Sequence, residues 1–162
     1  MKGDKKVIEH LNKALKGELA AINQYFLHAR LLDDWGLTKM AKHEYDESIE
    51  EMKHADELIK RIIHLGGHPN LQEISGLNIG ENVEEVIKGD LKLEEDGIAH
   101  YREAIAHCEK VDDYVTRDLF LTILKDEEGH EDFLETQLEM IKNMGLQNYI
   151  MLQSAPTNEQ EG

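Results

Sequence analysis

Two short segments of the chain repeat one arrangement of metal-binding groups. In EEMKHAD, Glu50 to Asp56, Glu51 stands three residues before His54; in DEEGHED, Asp126 to Asp132, Glu127 stands three residues before His130. Residues three apart share a helix face, so each pair would present a carboxylate and an imidazole in one direction. The echo extends upstream. Glu18, Tyr25, Glu51 and His54 recur 76 positions later as Glu94, Tyr101, Glu127 and His130, and Glu18 precedes Glu51 by the same 33 residues that separate Glu94 from Glu127. The pattern reads as duplication of a helical hairpin.

On helical wheels these glutamates fall inside apolar stripes. The first stripe is Ile8, Leu11, Leu15, Glu18, Ile22, Tyr25, Ala29, Leu32; the second is Ser48, Glu51, Ala55, Leu58, Ile62, Leu65. The third is Val83, Ile87, Leu91, Glu94, Ile98, Tyr101, Ile105, Cys108, and the fourth is Phe120, Ile123, Glu127, His130, Leu134, Leu138, Ile141. A carboxylate in an apolar core costs several kcal/mol unless compensated, and four converging carboxylates also repel one another. No lysine or arginine lies on these stripes, which leaves bound metal as the compensation. Four carboxylates and two imidazoles carry a charge that two divalent cations neutralise, the composition of a dinuclear site. Oxygen-rich ligation with one imidazole per metal suits iron(II), with manganese and zinc as competitors, and the absence of paired thiolates weighs against copper(I) or an iron–sulfur cluster.

Four long amphipathic segments must position these groups. The spacing predicts helices from about Lys5 to Asp34, from after Thr38 to the Gly66-Gly67 pair, from Asn82 to about Lys110, and from after Asp112-Asp113 to about Met144, halted by Gly145. Asn82 can cap the third helix while Glu85 reaches back in a capping box. The stretch GGHPNLQEISGLNIGE between helices 2 and 3 is too long for a hairpin turn and reads as a crossover running the length of one bundle. LQNYIML after Gly145 can form a short fifth helix. Residues 1–155 are expected to form one domain and residues 156–162 a polar tail.

The totals agree with one all-α domain of 162 residues rich in helix formers. Acidic residues outnumber basic ones 34 to 18, which argues against a nucleic-acid partner and favours cations, with simple solubility as the alternative. No apolar run approaches the length of a membrane span, and MKGDKKVIEHL lacks the apolar core of a signal peptide. The expectation is a cytoplasmic protein. The lone Cys108 fits a reducing compartment and supports no disulfide framework.

One glutamate from each of two helices and Glu-x-x-His from the other two is a pattern already known in ferritin-like carboxylate proteins. The chain closely resembles bacterioferritin along nearly its whole length, through AINQYFLHARLLDDWG, ESIEEMKHAD, GHPNLQ, NIGENVEE, DYVTRD, DEEGHEDFLETQL and MGLQNY. The second Glu-x-x-His sets it apart from animal-type ferritins, and the lack of paired cysteines from rubrerythrins.

The resemblance implies a ferritin-like four-helix bundle with a long crossover between helices 2 and 3 and a short C-terminal fifth helix. It implies a 24-subunit homo-oligomer built from dimers that acts as a ferroxidase, oxidising iron(II) with dioxygen or hydrogen peroxide and storing the iron(III) mineral inside. Glu51 and Glu127 would bridge the di-iron centre, with Glu18 and His54 completing one iron and Glu94 and His130 the other. Tyr25 fits either a hydrogen-bond donor behind the ligands or a core tyrosine with a satisfied hydroxyl. A ferredoxin is a candidate partner for iron release.

Met52 lies about 100° round the helix from Glu51 and so points away from the metal site. It joins Tyr45, Ile49, Ile59 and Ile63 in a second apolar stripe that reads as a subunit contact. By resemblance, Met52 of two chains would be the axial ligands of a haem b at the dimer interface. Some family members carry a histidine, linked to iron on the inner surface, where this chain has Asp46; Asp46 and Glu50 remain candidate cation ligands. Trp35 reads as core. His10, His28, His43, His64, His68, His100 and His107 read as surface or packing residues, and close packing is the expected reason for Gly129 in mid-helix. The competing functions are a non-storing di-iron oxidase or peroxidase on the same bundle, and a haem electron-transfer assembly.

Overall fold

The computed structural model describes residues 1–154, so the expected tail at 156–162 lies outside the described residues. The chain forms α1 (Lys5–Asp34), α2 (Thr38–His64), α3 (Val83–Lys110), α4 (Tyr114–Met144) and α5 (Leu146–Ser154). These bounds match the punctuation of the sequence. Asp4 caps α1 by accepting from the Val7 N–H at 3.0 Å, and Asp113 caps α4 by accepting from Thr116 N–H at 3.0 Å. Asn82 accepts from the Glu85 N–H at 2.9 Å. The return bond differs in detail from the expected box: the Glu85 carboxylate accepts from the Glu81 N–H and the Asn82 side-chain amide, both at 3.1 Å. Gly145, at φ +85°, ends α4 in a conformation that side chains other than glycine resist.

α1 packs along α2 and α3 along α4, giving two hairpins, and α1 packs against α3 to join them. The crossover starts where Gly3 N–H donates to Leu65 C=O at 2.8 Å and then follows α1 toward its C-terminus. It touches that helix at Asn12, which donates to His68 C=O, at Gln24, which accepts from Asn78 N–H, and at His28, which accepts from Gly80 N–H. A Cβ on Gly89 would lie 2.4 Å from the Asn78 carbonyl oxygen, so glycine lets the crossover lie this close to α3. Because the crossover spans the bundle, α3 starts at the end where α2 started.

Apolar residues form two layers with a gap between them. One layer gathers Leu11, Leu15, Leu58, Ile62, Phe120 and Ile123; the other gathers Leu32, Met40, Val86, Ile87, Leu134 and Tyr149. α5 belongs to the second layer, its Tyr149 hydroxyl donating to Gln137 Oε1 at 2.7 Å. Trp35 is half-buried against the same layer. Glu18, Glu51, Glu94 and Glu127 lie in the gap, midway along their helices. Among the described residues no helix is long and apolar enough to cross a membrane.

Gly129 does not serve close packing, which corrects the sequence expectation: a Cβ built there meets nothing within 4 Å. Its helical backbone therefore carries the entropic cost of glycine without a packing gain. Gly129→Ala should stabilise the metal-free protein by about 0.5–1 kcal/mol, read from urea unfolding at equal chain concentration.

Candidate metal centre

Each helix delivers its glutamate to one point, and all four carboxylates are buried. Two overlapping groups result, Glu18 with Glu51, His54 and Glu127, and Glu94 with Glu51, Glu127 and His130; within each, one ligand-type atom per residue lies within 4.8 Å of the others. Glu51 and Glu127 belong to both. The sequence placed these six residues together, and the fold brings all six together.

The imidazoles are aimed by carboxylates behind them. His54 Nε2 lies 2.9 Å from Asp126 Oδ2, which turns Nδ1 toward Glu127 Oε1 at 3.2 Å and toward Glu18 and Glu51 at 3.7 Å. His130 Nε2 lies 2.7 Å from Glu47 Oε2, which turns its Nδ1 toward Glu51 Oε1 at 3.1 Å and Glu94 Oε1 at 3.3 Å. The two oxygens of Glu51 thus face one imidazole each. Carboxylates placed this way fix ring orientation and raise ligand basicity.

The tyrosines act in the same manner on the outer glutamates. Tyr25 donates to Glu94 Oε1 and Tyr101 donates to Glu18 Oε1, both at 2.5 Å. Burial first, and then the adjacent Glu94 or Glu18 charge, pushes both phenols well above their ordinary range, so each keeps its proton as a donor. Tyr25 is a fully buried core ring whose hydroxyl is satisfied by Glu94, so both of its sequence readings fit the same geometry. Tyr101, Asp126 and Glu47 were not singled out from the sequence. Tyr101 had a signal, since it is Tyr25 of the second repeat.

All six residues carry a buried atom that no group outside the cluster satisfies: Glu18 Oε2, both oxygens of Glu51, His54 Nδ1, Glu94 Oε2, Glu127 Oε1 and His130 Nδ1. Native interiors hold only a few such atoms per 100 residues, and here seven share one space. Oxygen and imidazole donors in this number fit two divalent transition-metal ions.

Protons occupy the cluster when metal does not. Burial, then neighbouring carboxylates, pushes Glu51 and Glu127 well above the usual carboxylate range. Burial opposes ionisation of Glu18 too, yet bonding with Glu51, His54 and Tyr101 holds it below its ordinary value, so Glu51 takes the proton and Glu18 the charge. For His54, burial favours the neutral ring, but Glu18 and Glu51 outweigh it and raise the pKa to about 11. Against the same burial effect, Glu47, Glu51 and Glu94 raise His130 as well.

The other candidates lie elsewhere. Met52 is 52% exposed, on the face of α2 that also exposes Tyr45 and Ile63. Asp46 and Glu50 are exposed, with Lys42 at 2.9 Å and Lys53 at 3.4 Å, and among the described residues neither belongs to a cluster of three or more metal-ligating side chains. His28 is more than a packing residue, which corrects its sequence reading: fully buried, it bonds Asp90 and Gly80. A cavity of about 180 Å³ between α1, α3 and the crossover is lined by Gly17, Ala21, Gly97 and His100 and reaches Glu18 and Glu127.

Helix order, crossover and paired carboxylate–histidine sets together define a ferritin-like protein, and a ferritin-like domain family matches residues 8–144. The chain is 56% identical over 161 residues to a bacterioferritin of Brucella melitensis biotype 1, covering 99% of this chain and 100% of that one. It is 52% identical to a bacterioferritin of Rhodobacter capsulatus with the same coverage, and 45% identical over 154 residues to a bacterial ferritin of Synechocystis, covering 94% and 99% of the two chains. The chain belongs to the bacterioferritin family, iron-storage proteins with ferroxidase activity at a buried di-iron site.

Divalent ions entering the centre must displace protons held by Glu51, Glu127, His54 and His130. Anaerobic iron(II) or zinc(II) addition should therefore acidify unbuffered protein. The apparent affinity should fall as pH falls, about tenfold per pH unit for each displaced proton, as read by a pH-stat and by metal titration at several pH values.

Proposed function

We propose that this chain takes up iron(II), oxidises it at the six-residue centre and lays down iron(III) mineral inside a 24-subunit cytoplasmic shell built from dimers. The observation that carries the reading is the convergence of unpartnered buried donors from all six side chains on one space between two apolar layers.

In this reading Glu51 and Glu127 would be shared by two irons, Glu18 and His54 would hold one, and Glu94 and His130 would hold the other. Membership of both groups supports the bridging pair, and the tyrosine bonds support the outer glutamates as single-oxygen ligands, since one oxygen of each is already taken. Two irons held side by side let dioxygen or hydrogen peroxide draw one electron from each. The chain's own part is to exclude water with its apolar layers, to hold both Nδ1 atoms inward through Asp126 and Glu47, and to release protons as charge arrives. The cavity beside Gly17 and Gly97 suits the passage of iron(II) and the oxidant to Glu18.

Met52 fits a haem b at the dimer interface. A thioether on an exposed apolar face matches both the axial preference of haem iron and the surface of a subunit contact. Such a haem would supply one-electron transfer, and a ferredoxin would supply the electrons that release stored iron.

Gel filtration with iron analysis tests storage: a particle near half a megadalton holding hundreds of irons is expected, whereas a dimer holding two irons per chain would favour the non-storing oxidase. The double variant Glu51→Ala with His54→Ala should lower the initial rate of iron(II) oxidation by roughly 100-fold or more, since loss of mere outer partners costs 10–100-fold. Met52→Ala should remove the haem absorbance and leave that initial rate at the wild-type value.

A further inference from the structure

Beside the six-residue centre, α1, α2 and α3 bring His28, Glu44 and Asp90 together with no exposure to solvent, one ligand-type atom from each within 4.8 Å of the others. The residue types suit a cation. The hydrogen bonds point elsewhere. His28 Nε2 accepts from the Gly80 N–H at 3.0 Å, so that nitrogen bears no proton. Nδ1 therefore bears it and donates to Asp90 Oδ1 at 2.8 Å. Both ring nitrogens are used and the imidazole is neutral. Asp90 Oδ1 accepts a second bond, from Gln24 Nε2 at 2.9 Å.

Three acceptor atoms remain, Asp90 Oδ2 and both oxygens of Glu44, all buried without a partner. A divalent cation such as magnesium or calcium takes about six oxygens, more than these two carboxylates offer. Two carboxylates this close in the interior cannot both stay ionised without a cation. We infer that Glu44 is a carboxylic acid in the folded protein, that its O–H donates to Asp90 Oδ2, and that the pair holds one proton and no metal ion. Burial, then the Asp90 charge, pushes the Glu44 carboxyl well above the ordinary range, in agreement.

The shared proton closes a chain of bonds from the crossover, through Gln24 and His28 on α1 and Asp90 on α3, to Glu44 on α2. Asp90 sits one turn before Glu94, and Glu44 one turn before Glu47, which holds His130. Glu44 is thus a positioning residue for the Glu94–His130 half of the centre.

Infrared spectroscopy of the assembled metal-free protein in deuterated buffer at neutral pH, wild type against Glu44→Gln, reads the proton without reference to how iron is bound. Wild type should show a protonated-carboxyl C=O band that the variant lacks; spectra identical in that region would overturn the inference. Zinc(II) titration should give the same number of ions per chain in both, and one fewer in Glu44→Gln would establish a cation site instead. The positioning role is read from iron(II) oxidation. Glu44→Gln, whose amide still donates to Asp90, should keep the wild-type rate, while Glu44→Ala slows it by roughly tenfold. A slow Gln variant or a fast Ala variant would overturn that role, and the Gln variant decides alone where the Ala variant does not assemble.

Discussion

Four buried glutamates meet where, among the described residues, no lysine or arginine pairs with them, and the surroundings of the centre answer that concentration of charge. The ion pairs inside the cluster come from His54 and His130 alone among the described residues. Apolar layers on either side along the bundle axis keep water from relieving the repulsion. Protons relieve part of it in the metal-free state, held on Glu51, Glu127 and the imidazoles. The interior is therefore built around a deficit of positive charge that iron fills. The cost is borne in stability, since uniform apolar packing of the same space would hold the helices together more tightly.

The fold was legible because its signals are local. Helix ends are marked by Asp4, Asn82, Asp113 and Gly145, each acting within a few residues of itself, and the observed bounds follow them. The six central residues were legible for a different reason: each interrupts an apolar stripe, and the 76-residue repeat supplies a second copy of every interruption. What supports them was hidden. Adding 76 to Glu47 reaches Ile123, and subtracting it from Asp126 reaches Glu50, so neither carboxylate behind the imidazoles has a counterpart in its own role. Their partners lie across the bundle, at separations that helical periodicity does not encode. His28 and Asp90 were missed on the same ground, since an isolated histidine gives no sign of the backbone N–H that fixes its tautomer.

The two halves of the centre, alike in ligands, differ in what stands behind them. Asp126 is 47% exposed, so His54 leans on a group in contact with solvent, while Glu47 is only 14% exposed and His130 leans on a partly dehydrated one. His54 is hydrogen-bonded to a carboxylate in contact with solvent, whereas His130 lies 2.7 Å from a largely buried one. An equal ligand set thus sits in an unequal frame.

The tyrosine bonds cross between the repeats: Tyr25 of the first serves Glu94 of the second, and Tyr101 of the second serves Glu18 of the first. The imidazoles cross likewise, His54 to Asp126 and His130 to Glu47. Neither hairpin holds both its ligands and the groups that orient them. Separating the hairpins would strip each set of ligands of the phenol or carboxylate that orients it.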